Sequence, residues 1–155
     1  SLTTTTYIAQ NMGARKFNRV KKGFKSFLWL GNVYAVAMGI LLCFFSAGPL
    51  RLFTSDPEVV HFGAMMGQVL GPGYILLITC QILIGTARGA GDTLSTMLLS
   101  ILNLCGLRIL WLTIMIPLFP SIYTLYLGYP VTWGTAAVCM GIYYRKKIKP
   151  RLGLS

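Results

Sequence analysis

Gly85-Thr86-Ala87-Arg88-Gly89-Ala90-Gly91-Asp92-Thr93 divides two long apolar runs and holds the only acid in the second half of the chain. Gly85, Gly89 and Gly91 within seven residues predict a tight reversal instead of a regular helix. Asp92-Thr93 then predicts a helix start, because a short oxygen-bearing side chain can accept from the free amides of a first turn. The stretch reads as a hairpin, with Arg88 at its base, between two helices each long enough to cross a bilayer.

The composition fits that reading. Of 155 residues, 55% are hydrophobic and 11% charged, against about 25% charged in soluble domains. Mean hydropathy is +0.67. A water-soluble fold of this composition would expose large apolar patches, so the membrane class is expected. Cys43, Cys80, Cys105 and Cys139 lie singly in apolar runs, His61 is the only histidine, and no metal or redox motif is formed.

Outward from the hairpin, the chain divides into segments. Residues 1–12 read as the end of a helix closed by Gly13, a residue suited to a left-handed C-terminus. Residues 13–26 carry Arg15, Lys16, Arg19, Lys21, Lys22 and Lys25 without an acid. Phe17, Val20, Phe24 and Phe27 interleave at helical spacing, so the segment reads either as a solvated basic loop or as a short amphipathic helix on an anionic lipid surface. Residues 27–53, 59–87, 94–119 and 121–144 are four apolar runs of the ~20 residues a span needs. Gly63, Gly67 and Gly71 recur every fourth position and predict a bare face for close helix packing. Pro72 predicts a kink. Residues 145–155 form a basic tail.

Four spans place both ends and the hairpin on one side. Six basic residues in 13–26, Arg88, and five in the tail make twelve there, against Arg51 alone on the other side. This asymmetry predicts that both ends are cytoplasmic. It also accounts for the net charge of +11 without nucleic acid.

No catalytic constellation and no paired intramembrane carboxylates occur, so no enzyme and no cofactor are expected. Gln68, Pro72, Gln81, Asn103 and Arg108 are the candidate cavity-lining positions. Arg108 reads either as a structural arginine near the outer leaflet or as a group facing a polar cavity, since a charge in hydrocarbon seeks protein or water. Asp92 reads as a cap.

Ala9-Gln10-Asn11-Met12-Gly13-Ala14 with the basic residues after it, Gly85 through Thr93, and Asn103 with Arg108 and Pro117 together resemble the multidrug and toxic compound extrusion (MATE) family. The resemblance implies an all-α integral membrane protein of twelve helices in two lobes. This chain would supply the end of helix eight and helices nine to twelve, and its partner would be the N-terminal lobe of the same polypeptide. It implies an antiporter that exports organic cations and drugs in exchange for H⁺ or Na⁺ across the cytoplasmic membrane. Residues 59–87 lack the acid that some members place in the tenth helix, so the coupling ion is expected to bind mainly outside this segment. A lipid-linked oligosaccharide flippase of the same superfamily and a non-transporting structural membrane protein are the alternatives.

Overall fold

A computed structural model describes residues 1–52 and 54–152. The described residues form helices α1 (Leu2–Gly13), α2 (Phe17–Phe45), α3 (Ala47–Leu50), α4 (Pro57–Gly89), α5 (Thr93–Ser100), α6 (Leu107–Leu118), α7 (Ile122–Tyr143) and α8 (Lys149–Arg151), with no strand among them. A π-helical segment, Ile101–Gly106, joins α5 to α6, and a second, Tyr144–Ile148, joins α7 to α8. The class is all-α membrane protein.

Helix α4 is the centre, with α2, α1 and α7 packed around it. The Gly63, Gly67 and Gly71 stripe does what its spacing predicts. A Cβ on Gly71 would lie 2.8 Å from the Gly39 carbonyl oxygen, one on Gly67 2.8 Å from that of Leu42, and one on Gly63 2.5 Å from Leu50 Cδ1. The α2 and α4 backbones approach this closely only because neither carries a side chain at the crossing. A side-chain hydrogen bond adds to the seam: Thr79 Oγ1 donates to Asn32 Oδ1 at 3.1 Å.

Pro72 stays inside one continuous helix. Its ring nitrogen cannot donate to the Gln68 carbonyl. That oxygen instead lies 3.9 Å from Cys43 Sγ on α2, which donates to it.

The basic segment 13–26 is no separate surface element. Phe17–Phe45 is one helix, so Arg19, Lys21, Lys22 and Lys25 occupy the first turns of the first span, with Arg15 and Lys16 in the turn before it. The spaced apolar residues bind it to the protein: Val20 is fully buried, Phe24 stacks on Tyr144, and Phe27 meets Tyr7 edge-on. That apolar phase carries on into the span without a break. The helix also ends at Phe45, short of the expected 53, and Phe53 itself lies outside the described residues.

The glycine hairpin is shorter than expected. Helix α4 runs through Gly85 to Gly89, and only Ala90 to Asp92 turn. Gly85 and Gly89 are bare so that α1 can pack there. A Cβ on Gly85 would meet Ser1 O at 2.9 Å, and one on Gly89 would meet Ile8 Cβ and Thr5 O, each at 2.7 Å. Gly91 alone needs its conformational freedom, at φ +87°.

Around Gly91 the Asp92 amide donates to Ala87 O and the Gly91 amide to Arg88 O. This is a Schellman motif, which satisfies the last carbonyls of a helix. The same motif closes α1, where Lys16 donates to Asn11 O and Arg15 to Met12 O. There the left-handed residue is Arg15, at φ 54°, two positions past the Gly13 expected to hold it.

Three stretches, Phe17–Phe45, Pro57–Gly89 and Thr93–Leu118, are long and apolar enough to cross a membrane. Ile122–Tyr143 is not among them, because its tyrosines, threonines and glycines lower its hydropathy. Its register shows its depth instead. Tyr126 bonds to Phe62 O, Trp133 meets Gly73, and Tyr143 bonds to Asp92. So α7 lies parallel to α4 from one end to the other, and at about 1.5 Å per residue its 22 residues cover about 33 Å.

Candidate functional site

Two polar clusters arise where these helices meet. The first is inside the bundle. The expected run 94–119 is a single rod from Thr93 to Leu118 broken in register by the π segment. A π turn adds one residue, and so advances everything beyond it by about 100°. Asn103 sits within it, and its Nδ2 donates to Leu99 O at 3.0 Å. Arg108 follows in the first turn of α6 and reaches α7. Its guanidinium lies 3.7 Å from the centroid of the Tyr129 ring, and Nη2 donates to Thr132 Oγ1 at 3.2 Å. An aromatic face and a hydroxyl thus meet this charge, with no carboxylate. Its Nε is buried and unpartnered among the described residues, as is that of Arg88.

Trp111, one turn on, donates Nε1–H to Thr124 O at 2.9 Å. Its ring covers Gly128, where a Cβ would lie 2.9 Å from Trp111 Cδ1. None of the apolar window of Thr93–Leu118 is buried. Arg108 and Trp111 therefore link a peripheral helix to α7. The aromatic Tyr129, one turn before Thr132, was the signal for this partnership.

The five expected cavity positions do not converge. Gln68 and Pro72 sit one turn apart on an exposed flank of α4. Gln81 is thirteen positions on from Gln68, which places it about 140° around the helix. Pro72 borders a groove of about 190 Å³ along the α2 seam with Gly39, Cys43 and Ile75. Asn103 is engaged by its own helix and Arg108 by α7. The amides of Gln68 and Gln81 make no side-chain hydrogen bond among the described residues.

The second cluster is at the basic end. Asp92 occupies the N-cap position of α5, but its carboxylate makes no regular capping bond. It turns mainly to the C-terminal segment, with Ser95 of the first turn beside it, and is 8% exposed. The Tyr143 hydroxyl donates to Oδ2, and Lys147 Nζ and Arg151 Nη1 lie 3.6 and 3.7 Å from the same oxygen. Tyr143, Lys147 and Arg151 recur every fourth residue, so the helical tail presents them as one stripe.

The bond from Tyr143 is the largest cause that holds the Asp92 carboxyl down to about 2. Ser95 and the Lys147 charge add to it, and burial opposes it. The sequence reading missed Tyr143 and took the tail cations only as a topology marker. The spacing of four was the signal available.

The MatE family profile matches residues 1–114, close to three quarters of the chain. The chain belongs to the MatE family. It is 24% identical over 150 residues to the "Probable multidrug resistance protein YoeA" of Bacillus subtilis (strain 168), covering 93% of this chain and 31% of that protein. It is 24% identical over 109 residues to the "Probable multidrug resistance protein NorM" of Thermotoga maritima, covering 70% of this chain and 24% of that protein. The MatE segment thus spans between a quarter and a third of the length of these relatives. Family and apolar helices agree that it is a multi-pass membrane protein.

Proposed function

We propose that this MatE segment is part of a secondary antiporter that exports organic cations and drugs in exchange for H⁺ or Na⁺. The family match carries the proposal, supported by two relatives named as probable multidrug resistance proteins. The mechanism is alternating access, with this segment moving as part of one lobe of a twelve-helix protein against the other. The membrane is the cytoplasmic one, and the twelve-to-one excess of basic residues orients both ends of the segment inward.

Within the segment, Gln68 and Gln81 are proposed for substrate contact, because their amides are unengaged. Asn103 and Arg108 are proposed as positioning groups, because theirs are already bonded. Along α4 the acids Asp56 and Glu58 stand at one end and Asp92 just past the other. None lies in the middle of α4, so the coupling ion binds mainly outside this segment.

The test is ethidium efflux from cells expressing the whole gene product. Efflux above the empty-vector rate, abolished by collapsing the ion gradients, is the expected result. Accumulation indistinguishable from the control, or efflux that persists without a gradient, would overturn the proposal.

A further inference from the structure

The C-terminal helix divides its basic residues between two faces. Lys147 and Arg151 turn to Asp92. Arg145 and Lys149, also four apart, line a groove of about 830 Å³ opposite Lys21 and Lys25 of α2. The Phe24 and Tyr144 rings, stacked at 4.7 Å and 18°, join the two helices at this groove. Its lining is completed by Leu28, Leu83 and Gly141.

The chain has three acids. Asp56 and Glu58 are at the opposite end, and Asp92 is committed to Tyr143, Lys147 and Arg151. The four groove cations therefore have no anionic partner among the described residues.

A second groove of about 620 Å³ shares Lys25 and Leu28 with the first and continues along Trp29, Asn32, Val33 and Val36, with the Asn32 amide already bonded to Thr79 and to Leu28 O. From Lys25 to Val36 is about 16 Å along the helix, at 1.5 Å per residue. That is about half of a ~30 Å hydrocarbon core, the depth of one leaflet. Trp29, at 67% exposure, marks the level at which an aromatic side chain meets the headgroups. Cations stand at headgroup level and an apolar channel runs down from them.

We propose that this composite groove binds one anionic phospholipid of the adjacent leaflet. Its phosphate lies among Lys21, Lys25, Arg145 and Lys149, and an acyl chain lies along Leu28, Val33 and Val36. A cationic cup alone would suit any phosphate, but the apolar channel that opens from it favours a lipid. The inference uses the membrane placement of the segment and is independent of the transport reading.

The experiment is native mass spectrometry of the whole gene product in a zwitterionic detergent, titrated with dioleoyl phosphatidylglycerol or dioleoyl phosphatidylcholine. One phosphatidylglycerol should bind at least about tenfold more tightly than phosphatidylcholine, given four cations near one phosphate. The variant Lys21→Gln/Lys25→Gln/Arg145→Gln/Lys149→Gln should lose that preference.

A second variant avoids the charges. A Cβ on Gly141 meets nothing within 4 Å, so the side chain of Gly141→Leu starts into the open groove. It should abolish tight binding while the thermal unfolding midpoint does not fall. Equal binding of both lipids, full binding by Gly141→Leu, or displacement of the lipid by millimolar inorganic phosphate would each overturn the proposal.

Discussion

Gly89 and Gly91 are two residues apart, yet substitution should damage them by opposite rules. Gly89 is helical, and a Cβ there would lie 2.7 Å from Ile8 Cβ and from the Thr5 carbonyl oxygen. Carbon atoms pack at about 3.5–4.0 Å, so Gly89→Ala requires α1 to retreat by about 1 Å. That retreat stretches the Thr5 hydroxyl bond to Gly85 O, now 3.1 Å, and opens the packing around Ile8, which is fully buried.

Overpacking of this kind costs about 1–3 kcal/mol. The lost bond adds about 0.5–1.5 kcal/mol. The higher helix propensity of Ala offsets about 0.5–1 kcal/mol. The net loss is about 1–3 kcal/mol, and Gly89→Asn, being larger, should lose more.

Gly91 has open space around its Cβ position and pays only for φ +87°. Gly91→Ala should cost about 1–2 kcal/mol, and Gly91→Asn less, because Asn visits the left-handed region more readily. The rank order of Ala and Asn therefore reverses between the two sites. Reversible unfolding of the purified protein in mixed micelles, followed by tryptophan fluorescence, measures it. The same order at both positions would refute the division of the glycine stretch into a packing face and a turn.

Arg15 holds the equivalent left-handed position at the end of α1; Arg15→Gly should raise stability by about 0.5–1 kcal/mol in the same unfolding assay. Asp92 should make stability acid-sensitive. Its carboxyl lies at about 2, below the about 3.8 of a free aspartate, so the stabilisation is complete above about pH 4 and disappears as pH falls towards 2. Lys147 and Arg151 are half-exposed, so the loss should be about 1–2 kcal/mol after screening; Asp92→Asn should flatten that acid limb of a stability-against-pH curve. At Arg108, Tyr129→Phe keeps the ring face and should keep the packing of α6, whereas Arg108→Lys sacrifices the planar stack. Crosslinking between cysteines introduced on α6 and α7 should fall for Arg108→Lys and stay level for Tyr129→Phe.

Much of the architecture was legible in local pattern. Apolar length marked four runs, three of which are helices long and apolar enough to cross a membrane, the glycines at 63, 67 and 71 marked a face for close packing, and Gly91-Asp92 marked the turn into α5. Pattern failed where two distant segments had to meet. Gly85 and Gly89 looked like turn residues because a glycine in sequence does not say whether it serves φ or contact. Here α1, some eighty positions earlier, supplies the contact. The candidate polar residues were found as types, but not as a set. Gln68 and Gln81 fall on opposite flanks of one helix, and the π segment sets the direction of Arg108 by a register shift that no single residue announces.

The sequence by itself determined the membrane class, the basic asymmetry and the bare glycine face of α4. Each depends on composition or on one helix's own periodicity. Only the tertiary structure decided that Asp92 is a clamp for the C-terminal helix and that the tail cations face two different partners. Both depend on which side of a helix meets another chain segment fifty or more positions away. A carboxylate at a helix start can accept from its own first turn or from Tyr143, and the packing of α7 beside α4 places Tyr143 there.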